Sequence, residues 1–231
     1  MTLAEYYGLP EGTNMTLAYS SFYDTVDSDF PCQSNMSNYF YGQPQTCIKK
    51  LNVSEVTSFY QTFYLCSNLL TIEDIEDWDV SNVTSMSNMF NNCSSLQVLD
   101  ISKWNLASLT SMDTFIAACS SLTTLSSITL PPTFTFPSYS GPFNYSNLPK
   151  LVNFGGFIGL KSSITSGYGF KVLPNLTYES CINVLNGLYD FVGNGETPNS
   201  SQGQLKVHQN FLNLVGDEIS IGTNKGWTIT A

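Results

Sequence analysis

The stretch from residue 83 to residue 125 carries the same pattern twice, and this repetition limits the possible folds more than any other feature. A Val/Leu-Thr-Ser-Met segment begins at Val83 and again at Leu109, and a Cys-Ser-Ser-Leu segment begins at Cys93 and again at Cys119. Both segments therefore recur after 26 residues. A weaker copy begins at Val56, 27 residues before Val83. Tandem copies of this length predict a solenoid, because each unit has an apolar edge that it can bury only against its neighbours.

The positions that the copies share are predicted to form the repeat core. If the coils superpose, the first aliphatic residue, the residue seven places later, the cysteine and the following leucine each stack in a column. The predicted core residues are Val56, Phe63, Cys66, Leu69, Val83, Phe90, Cys93, Leu96, Leu109, Ile116, Cys119 and Leu122. Each copy then ends in Leu-x-x-Leu or Leu-x-x-Ile, which is typical of leucine-rich repeats with a short strand after the first leucine.

The predicted fold class is α/β, a leucine-rich-repeat solenoid with short parallel strands plus a helix or turn in each repeat of about 26 residues. We divide the chain into residues 1–50, an N-terminal cap or anchoring segment; residues 51–130, the repeats; and residues 131–231, an irregular loop followed by a repeat-like α/β capping module. Solenoids need atypical end units because the terminal coils would otherwise expose the core.

The repeats resemble a known family. The segment WDVSNVTSMSNMFNNCSSLQVLDISKWNLASLTSMDTFIAACSSLTTL is similar to the BspA-like leucine-rich repeats of bacterial surface proteins, as found in gut Bacteroides-type bacteria and their crAss-like phages. The similar elements are Met-Phe, Asn-Cys-x-Ser-Leu and Asp-Ile-Ser-x-Trp, between Val56 and Leu125. Phe59 replaces the usual Met in copy one, and copy three lacks the Asp-Ile-Ser-x-Trp ending. The resemblance implies a binding scaffold on cell surfaces or phage virions rather than an enzyme.

Charge and aromatic content favour protein partners. Asp and Glu outnumber Lys and Arg by 18 to 8, which gives a net charge of −10 and repels phosphate backbones, so nucleic-acid binding is not expected. The 13 Tyr and 15 Phe residues suit protein interfaces in a chain with only 11% charged residues. No apolar run is long enough to insert into a membrane, and residues 1–7 do not resemble a signal peptide, which favours a virion component over a secreted protein.

Metal and cofactor chemistry is not predicted. The repeat cysteines are expected to point inward, and Cys181 is expected to lie on a helix and face the protein core. No pair of cysteines has zinc-ligand spacing, and His208 is the single histidine. Cys32 and Cys47 could form a disulfide, although a cytoplasmic origin favours thiols. The acidic segment at residues 73–79 could supply calcium ligands, but it lacks the EF-hand pattern and is interpreted as a turn between repeats.

The N-terminal segment allows two interpretations. Its aromatic residues are predicted to contact a partner or a second copy, and the candidate interface residues are Tyr6, Tyr7, Tyr19, Phe22, Tyr23 and Phe30. Residues 36–40 also echo residues 86–90, which favours a degenerate capping repeat. Both interpretations stay open, and one segment can serve both roles.

The C-terminal third is predicted to alternate strands and helices. Residues 131–142 contain prolines that favour an irregular connection. A strand is predicted at residues 148–154, and a helix at residues 175–192 that Thr177 caps and Gly193 ends. A short helix at residues 217–225 and strands at residues 205–207 and 227–229 complete the prediction.

Catalytic groups are scarce, so the chain is predicted not to be an enzyme. His208 has no predicted partner for nucleophilic catalysis and is expected on an edge strand, while paired acids for glycoside hydrolysis, which can lie far apart in a chain, stay open as an alternative. Two functions remain. The first is a structural protein of a phage virion, such as a head fibre or tail tip, that displays the repeats on the virion surface for attachment to a bacterial or host receptor. The second is a cell-surface adhesin. Either is expected to be a homo-oligomer or a subunit of a larger assembly.

Overall fold

A computed structural model describes residues 30–48, 51–136, 141–143, 148–164, 170, 173–200 and 202–231. Short strands joined by turns make up most of it. The strands are β1 (Phe30–Pro31), β2 (Cys47–Ile48), β3 (Leu51–Asn52), β4 (Thr71–Ile72), β5 (Val98–Leu99), β6 (Thr124–Leu125), β7 (Ile128–Thr129), β8 (Asn153–Phe154), β9 (Phe157–Ile158), β10 (Gln204–Lys206) and β11 (Thr228–Thr230). The α-helices are α1 (Tyr178–Gly187), α2 (Gln209–Val215) and α3 (Ser220–Thr223), and 3-10 turns span Ile75–Asp77 and Gly216–Ile219.

The strands pair in parallel between successive coils. β2 pairs with β4, β6 lies between β5 and β8, and β7 pairs with β9. In the longest of these ladders Leu99 lies beside Leu125, and Leu125 lies beside Phe154. Parallel partners of this kind require the chain to return to the same edge once in each coil, as a 26-residue repeat predicts.

A second row of backbone hydrogen bonds joins the coils at another edge. Parallel bridges connect Asn35 to Ser58, Ser58 to Ser85, and Ser85 to Ser111. Next to them the amide of Phe63 donates to the carbonyl of Met89 at 3.0 Å. Because Asn35 belongs to this row, the segment that faintly echoes the repeat, residues 36–40, stacks on copy one as a further coil.

Each coil turns twice through the left-handed region of backbone conformation. In the three copies the residues at these turns lie five and nine places after the first aliphatic residue, and they are Gln61, Leu65, Asn88, Asn92, Thr114 and Ala118. Asn38 and Gly42 have positive φ at the corresponding places of the coil before copy one. Asn adopts this conformation at lower cost than most residues, which explains the Asn-rich sequence of copy two. The described repeats therefore have turns at the place where the prediction allowed a helix or a turn.

The predicted repeat-core residues are buried. Each of the twelve residues named above is at most 2% exposed. Their side chains stack between coils, as the rings of Phe63 and Phe90 do with centroids 5.4 Å apart. Two tryptophans that are not in the predicted core form a further column, because the Trp78 ring stacks on the Trp104 ring at 6.1 Å.

Helix α1 is shorter than the predicted helix of residues 175–192. It begins after Thr177, whose side chain accepts from the amide of Ser180 and caps the helix as predicted. It ends at Gly187, because Leu188 returns to extended backbone and pairs with Leu160. The predicted end at Gly193 is therefore wrong, since pairing between coils prevails over the helical spacing of the apolar residues.

The last third contains a helix that the sequence did not indicate. Helix α2 begins after His208, whose Nδ1 accepts from the amide of Asn210 at 3.1 Å, so His208 is a helix cap and not the predicted strand residue. The helix predicted at residues 217–225 is a 3-10 turn followed by α3. The closing strand β11 pairs with β10.

In the described residues, no helix combines the length and the apolar character that crossing a membrane requires. No disulfide joins Cys32 to Cys47. The predicted interface residues Tyr6, Tyr7, Tyr19, Phe22 and Tyr23 lie outside the described residues, and Phe30 is described only by the pairing of β1 with Leu51–Asn52.

Candidate binding surface

The cysteine column has a structural role that the sequence pattern did not reveal. Each of its thiols donates to a carbonyl of the preceding coil: Cys66 to Phe40 at 2.8 Å, Cys93 to Phe63 at 3.1 Å, and Cys119 to Phe90 at 3.0 Å. A cysteine is small enough for the apolar column and still supplies a hydrogen-bond donor. This explains why the same residue type stands at the same place in three coils.

Burial makes these thiols unreactive. Desolvation raises the pKa of Cys66 to about 11 and the pKa of Cys119 to about 12. The thiolate is the nucleophilic form of cysteine, so a thiol that stays protonated at neutral pH is a poor nucleophile. Burial likewise raises the pKa of Cys181 to about 11. These thiols therefore contribute to packing and not to nucleophilic chemistry.

The acidic segment at residues 73–79 uses its carboxylates in turns and ion pairs. Asp79 accepts from the amide and the hydroxyl of Ser81, and these hydrogen bonds lower the pKa of its carboxyl. Asp77 contacts Lys103 at 2.6 Å. Within the described part of the chain, no three His, Cys, Asp or Glu side chains are grouped so that they could hold a metal ion.

Exposed side chains follow a regular row along the strands. In β4, β5 and β8 the second residue is buried and the first faces outward, so Thr71, Val98 and Asn153 form part of one exposed face. Val98 is 56% exposed, and Leu70 beside Thr71 is 47% exposed. We call this row the strand face. Because the coils repeat, its side chains are held at fixed spacing on a stacked scaffold.

The strand face contains a cavity between β4 and β5, which we call the β4–β5 groove. Its volume is about 480 Å³. The lining residues are Leu70, Thr71, Ile72, Ile75, Glu76, Gln97, Val98 and Asp100. Glu76 and Asp100 make the groove acidic, and Leu70 and Val98 give it apolar walls.

A second exposed surface lies near the N-terminal coil. The rings of Tyr41 and Tyr64 stack with centroids 5.2 Å apart, and Tyr41 is 44% exposed. Tyr60 is 40% exposed in the same coil as Tyr64. We call these three residues the tyrosine ledge. Exposed tyrosines are enriched at protein interfaces because they bury a large area and still hydrogen-bond through the hydroxyl.

The stacked coils coincide with a family match. A family described as "Mycoplasma protein of unknown function, DUF285" matches residues 33–128, and this family is associated with BspA-like surface repeat proteins. The matched span begins just before the coil that contains Asn35 and ends in β7, so it covers the part of the chain with the bridged row and the cysteine column. No curated protein and no solved structure matches the chain.

Sequence reasoning did not find the strand face, the groove or the tyrosine ledge. The outward residues Thr71, Val98 and Asn153 share no residue type, so they give no repeat signal. The tyrosine ledge had a weak signal, since Tyr41 and Tyr64 occupy adjacent coils. Only the alignment of residues 36–40 with copy one could have placed those two rings side by side.

Proposed function

We propose that this chain is a non-enzymatic binding protein, a leucine-rich-repeat solenoid that presents the strand face and the tyrosine ledge to protein partners. The observation that carries the proposal is the stacking of coil on coil in one register, because such a scaffold holds exposed side chains in fixed rows over an extended surface. The cysteine thiols and the single histidine are the side chains that nucleophilic catalysis would use. Here the thiols are buried and His208 caps a helix, which supports a structural role for both.

We further propose that the chain is a virion component of a phage, of the head-fibre or tail-tip type, that displays the repeats for attachment. The resemblance to repeats found in gut bacteria and their phages supports this, as does the family association with surface repeat proteins. The aromatic N-terminal segment is the proposed anchor. The alternative is a cell-surface adhesin that binds a host protein, which the same family association also supports.

Immunogold labelling separates the two functions. An antiserum against the purified chain is applied to phage particles from a density gradient and, in parallel, to intact bacterial cells from the same culture. We expect gold on the particles. Label confined to the cell envelope would contradict the virion proposal and favour the adhesin, and label on neither would contradict both.

A deletion tests the proposed anchor. Removing residues 1–30 should abolish self-association or attachment to the particle, while melting of the remaining chain stays cooperative, because the described coils lie downstream. Light scattering of both chains, with and without particles, gives the result. A full-length chain that is monomeric and does not attach would contradict the assembly proposal.

A further inference from the structure

The parallel ladder of the strand face is interrupted at one place in the described residues. β2 pairs with β4, and β5 pairs with β6, but β4 and β5 are not paired. Every Cα pair between β5 and β6 lies within 8 Å, whereas some Cα pairs between β4 and β5 are farther apart. The β4–β5 groove occupies this gap.

The same two coils are joined normally on either side of the gap. At the bridged row the amide of Phe59 donates to the carbonyl of Ser85 at 2.8 Å. Beyond the strands, Nε1 of Trp104 donates to the carbonyl of Ile75 at 2.7 Å. The opening is therefore local to the strands, and it is held open between two closed contacts.

Backbone groups on the two sides of the groove make no hydrogen bond across it. In the equivalent ladder, β6 donates from Thr124 and Ser126 to the carbonyls of Gln97 and Leu99. Between β4 and β5 the corresponding donors are the amides of Val98 and Asp100, and the corresponding acceptors are the carbonyls of Leu70 and Ile72. None of these four groups makes a hydrogen bond across the gap. One side of the groove thus offers donors and the other side offers acceptors.

We propose that the β4–β5 groove binds an extended, basic segment of a partner protein, which adds as a parallel strand between β4 and β5. This inference rests on the proposed function as a protein-binding chain and names the chemistry of one partner. The guest segment would donate to the carbonyls of Leu70 and Ile72 and accept from the amides of Val98 and Asp100. Addition of a strand to unpaired edges is a common mode of peptide recognition.

Strand β6 shows the bonding that the guest would adopt. Its amides at Thr124 and Ser126 donate to β5, and its carbonyls at Thr123 and Leu125 accept from the coil that contains β8. Four consecutive residues in extended conformation therefore suffice for the backbone contacts. Full insertion needs about 9 to 10 Å between β4 and β5, twice the usual strand spacing.

Charge and shape select the side chains of the guest. Glu76 and Asp100 line the groove, and Lys103 is drawn away to Asp77 at 2.6 Å. Ile72 and Ile75 form the apolar floor. Side chains alternate between the two faces of a strand, so a guest that alternates Lys with Val meets the acids with one set and the floor with the other.

The experiment uses the full chain labelled with ¹⁵N and titrated with the peptide acetyl-Lys-Val-Lys-Val-Lys-amide. We expect saturable amide shifts at Val98 and Asp100 and slowed hydrogen exchange at both amides. Two peptides serve as controls. The peptide with Glu in place of Lys should bind at least tenfold more weakly, and peptides N-methylated at alternate residues should not protect these amides, because they lack the donors.

Two matched variants test the acidic residues. Asp100→Asn should weaken binding of the basic peptide roughly two- to fivefold, as expected for loss of one partly exposed charge. The turn at residue 100 should survive, since Asn52 makes the same turn with Ser54. Asp79→Asn removes the same charge from the same kind of turn outside the groove and should leave binding unchanged.

A backbone variant tests strand addition itself. Val98→Pro removes an amide that makes no hydrogen bond in this fold, so the chain should melt as before while binding and protection at Asp100 are lost. Equal binding of the Glu peptide, equal protection by the N-methylated peptides, or no shifts at millimolar peptide would overturn the proposal. Protection that grows with protein concentration without peptide would also overturn it, since a second copy would then be the occupant. Failure here with gold on the virions would leave the proposed function standing.

Discussion

Two regions of this molecule bury a similar kind of apolar core by different means. In residues 51–128, the repeat stack, rings at equivalent positions of successive coils lie face to face, as Phe63 and Phe90 do with an interplanar angle of 10°. In residues 148–231, the C-terminal module, rings meet edge to face, as Phe154 and Phe157 do at 78°. Repetition gives rings at equivalent positions a common geometry, whereas rings at non-equivalent positions, such as Phe90 and Phe115 at 80°, meet edge to face even in the stack.

Backbone conformation shows the same difference. Each coil of the stack turns through left-handed residues that are mostly not glycine, such as Asn92 and Thr114. The module instead depends on glycine for close approach. A Cβ at Gly156 would lie 2.7 Å from the carbonyl oxygen of Asn183, and one at Gly187 would lie 2.3 Å from that of Phe157. A repeated unit tolerates variation at its turns, while single contacts of this kind do not.

The largest effect should follow from loss of a ring in the stack. Phe90→Ala should cost about 3 to 5 kcal/mol, because the side chain is fully buried and stacks between two coils. Phe90→Ile is the matched control, since Ile116 fills the same column one coil later, and it should cost far less. Chemical denaturation of both variants measures the difference. Equal losses would show that the columns do not tolerate exchange between coils.

In the module, a single methyl group should have an effect almost as large. Gly187→Ala places a Cβ against the backbone of β9 and should cost about 2 to 3 kcal/mol by overpacking. Asn186→Ala, an exposed change one residue earlier in α1, should lie within about 0.5 kcal/mol of the parent. Thermal melting with calorimetry compares the two. A tolerated Gly187→Ala would mean that α1 does not pack as closely on β9 as described.

Alkaline pH should destabilise the cysteine column. The folded pKa of Cys66 is about 11 and that of Cys119 is about 12, above the ordinary value of 9.0, because burial disfavours the thiolate. The unfolded chain therefore releases these protons first, so stability is complete below pH 9 and falls as the pH rises above it. At pH 10 each of these thiols should lower the free energy of unfolding by about 1.4 kcal/mol relative to neutral pH. Urea unfolding between pH 8 and pH 10 measures the fall, which Cys119→Ala should make shallower.

The smallest effect concerns a left-handed turn. Thr114 has a φ of 55°, which is costly for a β-branched residue, and Asn88 occupies the same place in the preceding coil. Thr114→Asn should stabilise the chain by about 0.5 to 1 kcal/mol, and Asn88→Thr should destabilise it by a similar amount. Melting temperatures of the two variants should move in opposite directions. Shifts in the same direction would contradict a shared turn geometry.

The sequence predicted what repetition encodes and little of what lies between the repeats. The burial of Cys93 and Phe90 follows from their spacing, since a residue that recurs once in each coil must stack on itself. The end of α1 does not follow, because Leu188 satisfies helical spacing and also pairs with Leu160, and only the neighbouring coil decides between them. The groove could not be predicted, since it arises from backbone groups at Val98 and Leu70 that carry no sequence signal.

Amide hydrogen exchange in the unmodified chain tests most directly the claim that the described coils pair along the strand face everywhere except between β4 and β5. The amides of Phe90 and Thr124, which donate to a neighbouring coil, should exchange only by global unfolding. The amides of Val98 and Asp100, which face the groove, should exchange orders of magnitude faster. Equal protection of all four amides would contradict an open groove between β4 and β5. Fast exchange at Phe90 and Thr124 would contradict the stacking of the coils.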